Sequence, residues 1–263
     1  MADTAGIVTL TTDFGLRDAF VGTMKGVILS ICSRARIVDL THELDFADIY
    51  SASFVLETSH RYFPRDTIHT VVVDPGVGSE RRALAARTSA GIFIAPDNGC
   101  LSAILRLYPQ AEIRSIDNPE YTLKERSATF HGRDVFAPAA AHLCRGEEFA
   151  AIGKPVQDPV TLPNPEFHRT VDHILASILY IDRFGNIITN IPDSELDDKL
   201  CGRSMLLPYG CELTYSPTYS GIPEGALGLI SGSSGYLEVA MKGQSAAAAT
   251  KAVAGDIIMI IIS

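Results

Sequence analysis

What this 263-residue chain lacks narrows its function before anything it contains. Cysteine is sparse, odd in number and never in a C-x-x-C pair: Cys32, Cys100, Cys144, Cys201 and Cys211 are all of it. They read as reduced thiols of a reducing compartment, and none sits in a sequence that marks a nucleophile. The opening Met-Ala-Asp-Thr-Ala-Gly has neither the basic nor the apolar stretch of a secretory signal. Together these point to a cytoplasmic protein. No apolar run approaches the roughly 20 residues that span a bilayer; the longest, Ile257–Ile262, reads as a buried terminal strand. Positive charge is also short. Lys and Arg number 22 against 31 Asp and Glu, a net −9, with pI near 5.2. A general nucleic-acid binder carries a basic surface, so that class is set aside, whereas a cationic small substrate is compatible. The seven histidines show neither H-x-H nor H-x-x-x-H spacing. No internal repeat is present.

What is there is a core-forming composition: 46% hydrophobic and 20% charged residues. The first part alternates strand-like and helix-like stretches. Strands are expected at Ile7–Thr12, Arg36–Leu40, Thr67–Val73 and Gly91–Ala95. Helices are expected at Phe20–Ile31, Asp48–Tyr62, Cys100–Tyr108 and Asp134–Leu143. Alternation of this kind implies an α/β domain with a largely parallel sheet, over residues 1–153. Four prolines between Lys154 and Glu166 predict a stiff linker, residues 154–169. Short apolar segments then follow at Ile174–Ile181, Asn186–Ile191, Ser204–Leu207, Leu227–Ile230, Tyr236–Met241 and Gly255–Ile262, without a convincing helix; Gln244–Ala249 reads as a loop. Residues 170–263 are therefore expected to form a small all-β, barrel-like domain.

The chemistry-bearing residues lie in glycine-rich sequence beside these segments. Asp74 opens Asp-Pro-Gly-Val-Gly directly after a β-branched strand; Arg81 follows seven residues later, and His131 opens His-Gly-Arg-Asp. A carboxylate, a permanent cation and an imidazole suffice to hold and polarise a water. The glycine-rich loop lacks the lysine of a phosphate-binding P-loop. Asp13 ends the first strand, where a carboxylate suits a ribose diol; a turn or cap aspartate reads equally well. Asp134 is placed to cap the helix after it. Phe184 offers a flat apolar face and Asn186 an amide suited to a purine edge, although Asp182, Gly185 and Asn186 also spell a hairpin turn. Ser231–Leu237 is a hydroxyl-rich loop able to bind a carboxylate or simply to turn. Asp13, Asp74 and His131 converging on a divalent ion, as in a metal-dependent phosphoesterase, is a separate reading.

Seven segments in order carry a resemblance: TTDFG with MKGVILS, THEL, YFPRDTIHTVVVDPGVGSERR, IAPDNGCLS, ATFHGRDVFAPAAAHL, DRFGNIITNI and SGSSGYLEVA. They resemble the S-adenosylmethionine hydroxide adenosyltransferases, relatives of the fluorinase and chlorinase. The resemblance implies hydrolysis of S-adenosyl-L-methionine to adenosine and L-methionine by in-line attack of water on C5′, with no cofactor and no metal. It implies Asp74, Arg81 and His131 as the catalytic, water-handling triad and Asp13 as the ribose ligand. It places Phe184 and Asn186 at adenine, and Asp182, Ser233 and Asp18 at the methionine end. It further implies a homotrimer with active sites at subunit interfaces, with neither membrane nor nucleic acid as partner. Halogenases differ at Asp-Pro-Gly-Val-Gly, which favours water over halide. Non-catalytic binding of the same ligand and halide-dependent adenosyl transfer remain the alternatives. Two positions depart from relatives: Ala47, beside Phe46, where an aromatic residue is common, and Lys242, where asparagine is common.

Overall fold

The computed structural model describes residues 6–201, 205–207 and 211–262, and these divide into two compact units, residues 1–162 and 163–263. Each unit encloses its own apolar core.

The first unit is built on six strands: β1 (Ile7–Thr12), β2 (Arg36–Thr41), β3 (Ile68–Val72), β4 (Ala83–Thr88), β5 (Gly91–Pro96) and β6 (Glu112–Ser115). Their order in the sheet is β2-β1-β3-β5-β4-β6. The first three pairings are parallel, and β4 runs antiparallel to both of its neighbours. Helices α1 (Phe20–Ile31), α2 (Ile49–Ser59), α3 (Ser102–Leu107) and α4 (Ala137–Cys144) cover it. Alternate side chains of β1 and β3 separate the two faces. Val8, Leu10, Ile68 and Val72 join Met24 and Ile28 of α1 and the alanines of α4 in one core. Thr9 and His69 point the other way, where His69 stacks on Phe93 with ring centroids 4.9 Å apart. Burial without a counter-charge holds the His69 pKa down, to about 4.

Strands β4 and β6 were not expected from the sequence. Ala-Leu-Ala-Ala-Arg-Thr has little intrinsic strand preference; two flanking ladders, to β5 and β6, make it a strand. The expected helix over Asp134–Leu143 is corrected too. Residues Gly132–Phe136 form a π-helical turn before α4. Asp134 does not cap it; fully buried, its carboxylate accepts from Ser127 N at 2.7 Å and pairs with Arg133. Asp48 does cap α2, accepting from Ser51 N at 2.9 Å. The proline-bearing stretch to Leu162 runs along the first unit: Val160 N donates to Asp97 Oδ1 and Leu162 N to Ser102 Oγ, both at 2.7 Å.

The second unit comprises β7 (Phe167–Arg169), β8 (His173–Ile181), β9 (Ile187–Pro192), β10 (Met205–Leu207), β11 (Cys211–Tyr215), β12 (Leu227–Ser231), β13 (Tyr236–Met241) and β14 (Ile257–Ile262), with short helices α5 (Asp198–Cys201) and α6 (Ala246–Thr250). Pairing of β14 with β8 closes the sheet into a seven-strand barrel, and β7 attaches outside the ring along β8. Closure removes the sheet edges that would otherwise recruit another chain. Two readings are corrected here. Gln244–Ala249 is not all loop, since Ser245 caps α6 through Ala248 N at 3.0 Å. Strand β14 is buried only on alternate residues: Ile258, Ile260 and Ile262 enter the core while Ile257, Met259 and Ile261 face out. The short β7 and β11 were not anticipated. Ser204 of the expected segment at β10 lies outside the described residues, as does the N-terminal stretch 1–5. No helix among the described residues is long and apolar enough to cross a membrane.

Candidate active site

Parallel strands β1 and β3 lie side by side with Thr12 opposite Val72, so the chain leaves both at the same sheet edge. Connections from β1 lead to β2 on one side and on to β3 on the other, which makes this edge the topological switch point where α/β sheets bind ligands. Asp13 and Asp74 both emerge here. Their charges, together with that of Asp48, act on the buried thiol of Cys100, whose pKa burial already pushes well up.

The loop after β3 is folded by its own residues. Val77 N donates to Asp74 O at 3.2 Å, and Ser79 Oγ donates to Gly76 O at 2.7 Å. Gly78 has φ +81°, and a Cβ there would meet Ala128 O at 2.5 Å. Only glycine lets this loop lie against the segment leading to His131. An aromatic trio makes a second tie. Phe14, just after Asp13, and Phe130, just before His131, have ring centroids 6.0 Å apart, and Phe20 packs on both.

The result is a connected triad. Arg81 Nε donates to Asp74 Oδ1 at 2.9 Å, and Arg81 Nη2 donates to Asp74 Oδ2. The same Nη2 lies 2.8 Å from His131 Nδ1. Side chains of Asp74 and Arg81 are 5% and 10% exposed, so the pair is shielded from solvent, and Arg81 also sits over the Phe136 ring at 5.3 Å. A guanidinium can only donate, so His131 Nδ1 accepts and the neutral ring carries its proton on Nε2. Burial, then the Arg81 charge, hold the His131 pKa below the ordinary imidazole value, which favours that neutral form. His131 is thus arranged as a neutral donor rather than as a base.

Asp13 is half-buried and accepts from Ala47 N at 3.0 Å through Oδ2. Ala47 reaches it from a left-handed conformation, φ +63°. Asp18 lies in an exposed bend before α1, and among the described residues no hydrogen bond or ion pair joins it to Asp13 or Asp74.

Four further expected residues assemble in the second unit. Asp182, Phe184, Asn186 and Ser233 line one open cavity of about 780 Å³. The hairpin turn forms as its residues suggest, and its side chains face that cavity. Asp182 Oδ1 accepts from Phe184 N at 2.9 Å and from Asn186 N at 2.8 Å, and Oδ2 accepts from Asn186 Nδ2 at 2.8 Å. Gly185, φ +82°, leaves no room for a Cβ beside Ser245. This turn fixes Asn186, 6% exposed, and leaves the Phe184 ring 78% exposed at the cavity.

Sequence reasoning assigned no role to Ser79, Phe136, Tyr219 or Glu238. Ser79 and Phe136 stood within quoted motifs, but their contacts to the Arg81 segment depend on the folded loops. Tyr219 and Glu238 line the same cavity as Asp182; Glu238 stood within SGSSGYLEVA, whereas Tyr219, 19 residues earlier, carried no local signal. Among the described residues no group of three or more His, Cys, Asp or Glu side chains could hold a metal ion.

Two family models match the chain, the SAM hydroxide adenosyltransferase N-terminal domain over residues 8–153 and its C-terminal domain over residues 176–259. A relative from Salinispora arenicola named (R)-S-adenosyl-L-methionine hydrolase is 35% identical over 257 residues, 95% of each chain. A protein from Nocardia brasiliensis named fluorinase is 28% identical over 277 residues, 92% of each. A crystal structure of an uncharacterized conserved protein from Thermotoga maritima superposes with TM-score 0.89 at 34% identity, over 97% of this chain and 99% of that one. With both of its domains matched in order, this chain belongs to the SAM hydroxide adenosyltransferase family.

Proposed function

We propose that the protein hydrolyses S-adenosyl-L-methionine to adenosine and L-methionine. The single observation that carries the reading is the shielded Asp74–Arg81–His131 constellation at the β1–β3 switch point. The name of the Salinispora relative supports it.

Water supplies the nucleophile. Its oxygen forms a bond to C5′ as the C5′–S bond breaks; sulfur takes the electron pair and becomes a neutral thioether. The difficulty is the weakness of water as a nucleophile. Holding it in line with the C5′–S bond, away from bulk solvent, can recover about 7–11 kcal/mol of barrier. Asp74 accepts a hydrogen bond from the water and aims a lone pair at carbon. Arg81 keeps the carboxylate oriented through two hydrogen bonds and fixes the His131 tautomer. The Nε2–H of His131 donates to the water before attack and helps Asp74 hold it in line with the C5′–S bond. Proton transfer comes late: once C5′–O has formed, the oxygen is an oxonium, a far stronger acid than any carboxylic acid, so even a paired carboxylate accepts from it.

Asp13 receives the ribose diol through the oxygen not used by Ala47. Phe184 stacks on the adenine, with Asn186 at its edge, and Asp182 and Ser233 meet the amino-acid end; Asp18 is kept as a contact to that end. Assembly as a homotrimer with active sites at subunit interfaces belongs to the same proposal. Exposed apolar side chains support it, among them Phe46 at 87% and Leu16 at 66%. A cytoplasmic setting without resident cofactor or metal also belongs to the proposal.

Incubation with S-adenosyl-L-methionine and chromatography for products tests the reading. Adenosine and methionine in equal amounts, unaffected by a chelator, are expected. Bound but unconverted substrate would point to a binding protein, and a 5′-halo product in added halide to halide transfer.

A further inference from the structure

Glu238 is the least comfortable carboxylate in the second unit. It sits in the middle of β13 with Ile188 and Ile230 as its strand neighbours, and it is 5% exposed. Carboxylates buried to that degree are ordinarily paired with a cation. No ion pair to Glu238 is formed among the described residues. Among the described residues, its one hydrogen-bond donor is the Tyr219 hydroxyl, 2.8 Å from Oε2. Gly232 leaves the space that the other oxygen fills: a Cβ there would stand 1.9 Å from Oε1. The carboxylate therefore belongs to a built arrangement at the wall of the roughly 780 Å³ cavity that also holds Asp182, Phe184 and Asn186.

Two acids and a phenol in one cavity, with Lys242 as the cation on its lining, make a poor site for an anion. They make a good one for a positively charged group. Under the proposed function the ligand brings such charge itself, as a sulfonium and a primary ammonium. The missing counter-ion of Glu238 is then the ligand.

On this basis we propose that Tyr219 is a positioning residue for the cationic end of the substrate, acting by holding Glu238 ionised and aimed into the cavity. The inference rests on the function proposed above. The groups facing Glu238 act in opposite directions. Burial and the Asp182 charge push its pKa up, and the Tyr219 hydrogen bond pulls it down. Glu238 in turn pushes the Tyr219 pKa up, after burial, so the phenol stays a donor at neutral pH. Removing the hydroxyl leaves burial and Asp182 unopposed, and Glu238 takes up a proton at higher pH than before. A protonated Glu238 no longer attracts a cation. Substrate affinity in the Tyr219→Phe protein then fails at a pH where the wild type still binds.

Calorimetry on the full chain with S-adenosyl-L-methionine, and separately with uncharged adenosine, tests this across pH 5–8. Tyr219→Phe keeps the ring and is expected to weaken S-adenosyl-L-methionine binding about tenfold at neutral pH, the scale of one hydrogen bond to a charged group. Its acid limb of binding moves to higher pH, while adenosine binds as in the wild type. Glu238→Gln is expected to lose the acid limb altogether. Unchanged affinity and an unchanged limb in Tyr219→Phe overturn the inference. Equal loss of adenosine binding does so as well, since that marks general damage to the cavity. A wild-type protein that fails to bind S-adenosyl-L-methionine refutes the proposed function and this inference with it. Binding by the wild type with no effect of either substitution refutes this inference alone.

Discussion

The two units solve the problem of buried charge in opposite ways. In the first, polar groups satisfy one another: Asp74 and Arg81 form a shielded ion pair, and Arg81 also fixes His131. In the second, Glu238 has no ion-pair partner among the described residues and is held by the Tyr219 hydroxyl, and the Phe184 ring is left exposed. A closed network suits a group that must hold still while a bond is made. An open one suits a surface completed by its ligand. Under the proposed function, the difference matches chemistry in the α/β unit with recognition of adenine and the amino-acid end in the barrel.

The largest expected effect breaks the first half of that contrast. Arg81→Ala leaves Asp74 buried without its partner and frees His131 Nδ1. Losing one such preorganised donor is expected to lower kcat by roughly 10²–10³-fold, with substrate still bound. Steady-state kinetics beside calorimetry would show it; near-normal kcat would move the chemistry elsewhere. A smaller effect, on the other parameter, is expected from the barrel. Phe184→Ala removes the exposed ring, and the loss of base stacking, about 1–3 kcal/mol, appears as a weaker KM with kcat largely kept. A fall confined to kcat would erase the division between the units.

Acid sharpens the comparison with the smallest effect. His69 titrates in the folded first unit at about 4, well below its unfolded value, so the unfolded chain binds the proton more tightly. Stability of that unit is full above the unfolded imidazole pKa and is lost as pH falls towards 4. About 1 kcal/mol should go between pH 7 and pH 5.5. Glu238 has the opposite sign. Its folded pKa is raised, so its contribution is present in acid and lost as pH rises. Hydrogen exchange on the full chain, corrected for intrinsic rates, is expected to show β1 and β3 opening more readily in mild acid while β13 does not. Equal loosening of both would contradict the assignment.

Much of this was legible in the chain because local chemistry and global fold agree. Val-Val-Val before Asp-Pro-Gly-Val-Gly can hardly be anything but a buried strand running into a tight loop, and α1 stands where its apolar spacing puts it. The Asp182–Asn186 turn announced both its shape and its exposed ring. What stayed hidden depends on partners far along the chain. Strand β4 is alanine-rich and exists through its neighbours. Asp134 reads as a cap, yet folding through a π turn draws it inward to Ser127 and Arg133. Tyr219 and Glu238 meet only because the connection from β11 to β12 folds back beside β13.

The most direct test of the central claim is a turnover in ¹⁸O-labelled water with mass analysis of the products. Attack of an ordered water on C5′ predicts label in the 5′-hydroxyl of adenosine and none in methionine. Unlabelled adenosine, or no adenosine at all, would contradict it.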